Sequence, residues 1–122
     1  MYELTIDTHF AAAHNLRGYE GACERLHGHN WIVRVYVQAT ELDDIDIAID
    51  FKKLKSETNK VIERLDHYYL NKVEPFDKIN TTAENISKYL YEEIGKLIND
   101  GNVRVSKIKV WESEKAAAAY FE

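Results

Sequence analysis

The sequence predicts an α+β fold: an antiparallel sheet in the chain order β-β-α-α-β-β, with two helices on one face. Three observations lead there. Apolar residues alternate with period two near both ends of the 122-residue chain, their spacing turns helical in the middle, and 45% apolar with 30% charged residues is ordinary globular composition. A chain of this length makes one domain, residues 1–122, because domains typically run to roughly 100–150 residues. The single proline and the lack of Ser/Gly-rich tracts leave no room for a linker.

Over residues 2–10 the apolar side chains Tyr2, Leu4, Ile6 and Phe10 hold even positions, with Glu3, Thr5, Asp7 and His9 between them. That is the period of a half-buried strand. After a loop containing Gly18, Gly21 and Gly28, the run "NWIVRVYVQA" sets Trp31, Val33, Val35 and Val37 on one face of a β-branched second strand. "DDIDIAID" repeats the alternation through Ile45, Ile47 and Ile49, so this strand is expected to continue across a bulge or turn.

The period then changes. Phe51, Leu54, Val61, Ile62 and Leu65 fall at helical spacing. A second helix is predicted to start at "TTAEN", where Thr81 and Glu84 have capping-box spacing, and to run through Ile86, Tyr89, Leu90, Ile94, Leu97 and Ile98 until "NDG" ends it. In "VRVSKIKVWES", Val103 and Val105 are out of phase with Ile108 and Val110, so either a bulge lies near Ser106 or the strand begins after it. "AAAAYF" is expected to form a last short strand. A small open sheet has edges to protect, and pairing with other subunits is the natural way to do it.

Composition also excludes functions. A net charge of −5 argues against a nucleic-acid surface, which needs a basic stripe to neutralise phosphates. No window approaches the roughly 18–20 uninterrupted apolar residues of a membrane span, and "MYELTIDTHF" lacks a basic-then-apolar leader pattern, so a cytoplasmic protein is expected. Cys23 is the only cysteine, which forbids an internal disulfide and leaves a structural, reactive or metal-ligating thiol.

The stretch "CERLHGHN", residues 23–30, concentrates the chemistry. If residues 27–31 are a strand, His27 and His29 share a face, since side chains two apart point the same way. His14 follows the first strand, and a hairpin-like pairing would bring it opposite them. Three imidazoles suit zinc and leave a fourth tetrahedral position for water or substrate, as in catalytic sites. Turn and surface histidines would show the same letters.

Cys23 lies four residues before His27 and is either a fourth ligand, which would close the site, or a thiolate beside the metal. Asp66 and His67 in "LDHYYLN" offer a carboxylate-oriented imidazole as its partner, provided the helix has ended there. A cationic His67 at a helix C-terminus compensating the dipole is the alternative. Glu112 in "VWESEK" is placed to take two parallel N–H bonds from a planar ring amidine such as a pterin, or is simply solvated. Glu84 would cap a helix, line a pocket, or both.

Together, "FAAAH", "CERLHGHN", "IDF", "LDH", "TAEN" and "WES" resemble the 6-pyruvoyltetrahydropterin synthase family, in order and over essentially the whole chain. They are most similar to its bacterial branch, the 6-carboxytetrahydropterin synthases of queuosine biosynthesis. The resemblance implies the tunnelling fold (T-fold), with subunits assembled as trimers that pair into homo-hexamers and active sites at subunit junctions. It implies Zn2+ on His14, His27 and His29, a catalytic set of Cys23, Asp66 and His67, Glu112 gripping the pterin ring, and Thr82 and Glu84 lining its pocket.

The implied substrate is 7,8-dihydroneopterin triphosphate, converted to 6-carboxy-5,6,7,8-tetrahydropterin with release of acetaldehyde and triphosphate. Arg17, Arg25 and the lysines are available to the triphosphate. Glu24 leaves the branch open: C-E-x-x-H-G-H resembles a subgroup with a second catalytic option, in which the glutamate yields 6-hydroxymethyl-7,8-dihydropterin for folate synthesis; an ordinary loop carboxylate is the alternative. A 6-pyruvoyltetrahydropterin product ranks after these, because that branch usually has a longer gap between Cys and H-G-H. A non-enzymatic zinc-stabilised pterin-binding module, with Cys23 inert or a fourth ligand, is the competing class.

Overall fold

The computed structural model describes residues 1–21 and 24–122. Its elements are β1 (Tyr2–His14), β2 (His27–Ala39), α1 (Phe51–Ile62), a short 3-10 turn (Leu70–Lys72), α2 (Ala83–Ile98), β3 (Val103–Ser113) and β4 (Ala116–Phe121). The four strands form one antiparallel meander in the order β1-β2-β3-β4. Alternation selects the faces: Phe10, Trp31, Val33, Val35, Val37, Ile108 and Val110 are buried, against Leu54, Val61, Ile86, Leu90 and Ile94 of the helices. The opposite face shows Asp7, Arg34, Lys109 and Trp111, with Arg34 in a bidentate pair to Asp7 and both cations over the indole.

Both strands of the first hairpin are longer than their alternation suggests. β1 runs on through Ala11, Ala12 and Ala13 to His14, and β2 starts at His27, so Gly28 is a strand residue rather than part of the loop. The register pairs His14 directly with His27 and Ala12 with His29. The phase break in β3 is a bulge: Tyr36 pairs with Lys107 and Val37 with Val105, leaving Ser106 extra, its hydroxyl donating to the Tyr36 carbonyl.

Two expectations need correction. Residues 45–49 do not extend β2; they form an irregular turn segment. The Asp43 carboxylate accepts from the N–H groups of Ile45 and Ile47, and Asp46 sits at φ 64°, so short side chain-to-backbone bonds replace a ladder. The cap of α2 is Thr82, one residue later than expected. Its hydroxyl accepts from Asn85 N–H at 3.1 Å, while Thr81 is buried with its hydroxyl donating to the Asn15 carbonyl. Glu84 is therefore one position short of a capping box.

Among the described residues, the outer edge of β1 is bonded by the backbone at its C-terminal end. There the chain after α1 lies alongside: His67 N–H donates to Ala11 O at 2.6 Å and Ala13 N–H to Tyr68 O at 3.2 Å. The edge of β4, by contrast, pairs with no other strand among the described residues. Among the described residues, no helix is long and apolar enough to cross a membrane.

Candidate metal centre and active site

The β1–β2 register brings three imidazoles together. His14 and His27 are cross-strand partners, and His29 lies two residues on, on the face that also buries Trp31. His14 Nε2 is 3.0 Å from His27 Nε2, and the ring of His14 is edge-on to those of His27, His29 and Trp31.

Backbone carbonyls set the tautomers. His14 Nδ1 lies 2.7 Å from Thr81 O, and His27 Nδ1 lies 2.7 Å from Arg25 O. A carbonyl oxygen only accepts, so each Nδ1 carries the proton and each neutral imidazole presents a bare lone pair at Nε2. Two such lone pairs 3.0 Å apart repel unless a cation lies between them. The third nitrogen, His29 Nε2, is buried and has no hydrogen-bond partner among the described residues. Burial pushes the His14 and His29 imidazoles below their ordinary value, which keeps both neutral and able to ligate.

Glu112 reaches the same cluster from β3. Its Oε1 is 3.4 Å from His14 Nε2 and 3.1 Å from His29 Nε2, the latter off the line of a hydrogen bond. One donor atom from each of His14, His27, His29 and Glu112 lies within 4.8 Å of the others. The donor set, its tautomers and the orphaned His29 nitrogen thus fit a divalent metal of the zinc type.

Asp66 and His67 also meet. α1 ends at Ile62, and His67 takes φ 63°, a left-handed backbone that turns its ring back onto the preceding side chain. Asp66 Oδ1 accepts from Ala11 N–H at 3.0 Å and lies 3.0 Å from His67 Nδ1. The Ala11 N–H first, and His67 second, hold the Asp66 carboxyl below the usual carboxylate range. His67 is no dipole-compensating helix residue: its ring lines a cleft of about 490 Å³ together with His29, Asn30, Tyr68 and Tyr69.

Glu84, in the first turn of α2, and Glu112 of β3 are brought together, and Thr82 caps the same helix. Glu84 and Glu112 line one small cavity of about 160 Å³ with Ala83 and residues 116–118 of β4, while the Thr82 hydroxyl serves the helix cap. Cys23 lies outside the described residues. Glu24, one residue on, is exposed. Arg17 is not free for a triphosphate: its guanidinium donates to the carbonyls of Ile79, Asn71 and Phe76. A hollow of about 460 Å³ near Leu4, Leu42, Ile47 and Phe51 lies at the far end of β1, roughly 35–40 Å along the strand from His14.

What the residue pattern could not reveal is the role of Thr81 and Arg25, because any residue supplies a carbonyl. The closeness of Glu112 to the imidazoles was hidden for a similar reason: it depends on how β3 lies beside β2.

Comparison with known proteins agrees with this geometry. The family model described as 6-pyruvoyl tetrahydropterin synthase matches residues 3–122. The chain is 35% identical over 117 residues to a 6-carboxy-5,6,7,8-tetrahydropterin synthase of Synechocystis, covering 92% of this chain and 87% of that one. It is 28% identical to the protein of the same name from Haemophilus influenzae over 100% of both chains. The structure of the Caenorhabditis elegans 6-pyruvoyl tetrahydropterin synthase superposes with a TM-score of 0.85 at 27% identity, covering 100% of this chain and 97% of that one. With its T-fold architecture and a match that spans nearly its whole length, the chain belongs to the 6-pyruvoyl tetrahydropterin synthase family and is an enzyme of the lyase type.

Proposed function

We propose that the protein converts 7,8-dihydroneopterin triphosphate to 6-carboxy-5,6,7,8-tetrahydropterin, acetaldehyde and triphosphate, on the route to queuosine. The observation that carries this reading is the cluster of three imidazoles and Glu112, and the Asp66–His67 pair supports it, since one cleft is lined by both His29 and His67. The bacterial relatives carry the name of the carboxy product.

His14, His27 and His29 would hold zinc, which when bound supplies Lewis acidity to the hydroxyls of the substrate side chain. His67, oriented by Asp66, moves a proton between side chain and ring, and Cys23 is its partner in that transfer. Glu112 accepts the paired N–H groups of the pterin ring, with Glu84 and Thr82 beside it. The chemistry balances without a nicotinamide: the carbon attached to the ring is oxidised as the dihydropterin is reduced. Triphosphate leaves from the chain end, and one water supplies the second carboxyl oxygen as the carbon–carbon bond breaks.

The high exposure of His67 and the open edge of β4 fit a site completed by neighbouring subunits, as in a homo-hexamer built from two trimers. The test is product analysis of the zinc-loaded protein with 7,8-dihydroneopterin triphosphate by chromatography and mass spectrometry. Acetaldehyde with 6-carboxytetrahydropterin is the expected outcome. A dominant yield of 6-hydroxymethyl-7,8-dihydropterin would transfer the catalytic role to Glu24 and the protein to folate synthesis. Absence of turnover with pterin still bound would leave a zinc-stabilised binding module.

A further inference from the structure

We propose that Arg17 is a positioning residue for pterin binding: it ties the chain between Asn71 and Asn80 to the end of β1 and so fixes the start of α2, where Thr82 and Glu84 stand. The inference rests on the proposed reading of that region as a wall of the pterin site.

The guanidinium of Arg17 is exposed, yet it is spent on backbone carbonyls rather than on a carboxylate. Nη1 donates to Ile79 O at 3.0 Å, while Nη2 donates to Phe76 O at 2.9 Å and to Asn71 O at 3.3 Å. Residues 73–79 are turns and bends, with no helix or ladder to hold their main chain in place. A planar fork with five donors in fixed directions spans three such carbonyls at once, which an ammonium on a flexible stem cannot do.

Two asparagines lock the same two stretches together. Arg17 N–H donates to Asn80 Oδ1 at 2.9 Å, and Asn80 Nδ2 donates back to Arg17 O at 3.0 Å. Asn15 N–H and Asn71 Oδ1 pair at 3.0 Å, with Asn71 Nδ2 returning to Asn15 O at 2.9 Å. Each side-chain amide thus pairs with the main chain much as a neighbouring strand would, although β1 has ended at His14.

The hold passes on to α2. Asn80 O accepts from Asn85 Nδ2 at 2.9 Å, and Asn85 N–H donates to the Thr82 hydroxyl that caps the helix. Glu84, in the first turn, borders the small cavity shared with Glu112, which Arg17 does not line. Arg17 therefore acts on that cavity through Asn80 and the helix cap, not by contact.

The experiment compares zinc-loaded full-length wild type with Arg17→Ala and Arg17→Lys. It reads the affinity for a pterin without a side chain by fluorescence, KM and kcat with 7,8-dihydroneopterin triphosphate, and zinc retention by chelator competition. In Arg17→Ala, the pterin Kd and KM are expected to rise together by about 10-fold, with kcat and zinc affinity within about twofold, as when binding shared by ground and transition states is lost. Guanidinium ion should restore part of that loss, because the vacated site is exposed. Arg17→Lys keeps the charge without the fork and should show most of the same loss, and it serves as the reading if Arg17→Ala does not fold. Unchanged pterin affinity in both variants would overturn the proposal. A raised KM with unchanged pterin affinity would also overturn it, by making Arg17 a phosphate contact. Parallel loss of zinc, kcat and thermal stability would reduce Arg17 to a folding residue. A wild type that binds no pterin would instead overturn the reading on which the proposal rests.

Discussion

His14, in the imidazole cluster, and His67, in the cleft beside His29, are built under opposite constraints. The side chain of His14 has 0% exposure and is locked by a backbone carbonyl and three neighbouring rings. The side chain of His67 is 82% exposed and held by one carboxylate and a left-handed turn. A metal ligand must keep its lone pair aimed whether or not substrate is present, so the fold of one chain fixes it. A proton carrier needs access, and the exposed ring of His67 has it.

Breaking the rigid side of this comparison has the largest expected effect. His14→Ala removes a fully buried ring. Zinc affinity should fall by more than about 100-fold, beyond what losing an outer-shell partner costs. The metal-free protein should lose about 2–4 kcal/mol, as large-to-small core truncations do. Chelator competition and denaturant unfolding read the two separately. Intact zinc affinity would show that His14 is a packing residue.

On the exposed side, the substitution must respect the backbone. His67→Asn tolerates φ 63° and keeps stability within about 0.5 kcal/mol, while turnover falls about 10²–10⁴-fold with zinc still bound. His67→Val confounds the test, because a β-branched residue in the left-handed region costs about 1–2 kcal/mol by itself. A His67→Asn protein with normal kcat would remove His67 from catalysis.

The smallest effect sharpens the link between the two regions. Asp66 holds both Ala11 of β1 and His67, and its pKa lies below the ordinary 3.8. A depressed carboxylate pKa contributes stability that is present above the unfolded value and lost as pH falls through the folded one. Denaturation midpoints measured downward from pH 6 should therefore decline below about pH 4 more steeply in wild type than in Asp66→Asn. Identical slopes would show that the Ala11 contact does not stabilise the folded carboxylate.

Much of this was legible in the sequence because it follows from local periods. The parity of Trp31, Val33, Val35 and Val37 sets one face of β2, and the same parity carries His27 and His29 onto it. The phase break before Ile108 allowed a bulge near Ser106 or a later start to the strand, and the register with β2 decided for the bulge. Periodicity misled where a short polar side chain intervened. Ile45, Ile47 and Ile49 alternate like a strand, but Asp43 folds the chain back on itself.

By itself, then, the sequence determined the strand and helix order and, once residues 27–31 are a strand, the shared face of His27 and His29, which depend on spacing of a few residues; it left the pairing of Asp66 with His67 open until the left-handed turn at His67 decided it. The tertiary structure decided the rest: Thr81 O against His14, 67 residues away, and Glu112 beside two imidazoles contributed by β1 and β2. Such contacts depend on register and on where a bulge points a side chain, and neither is written in residue type.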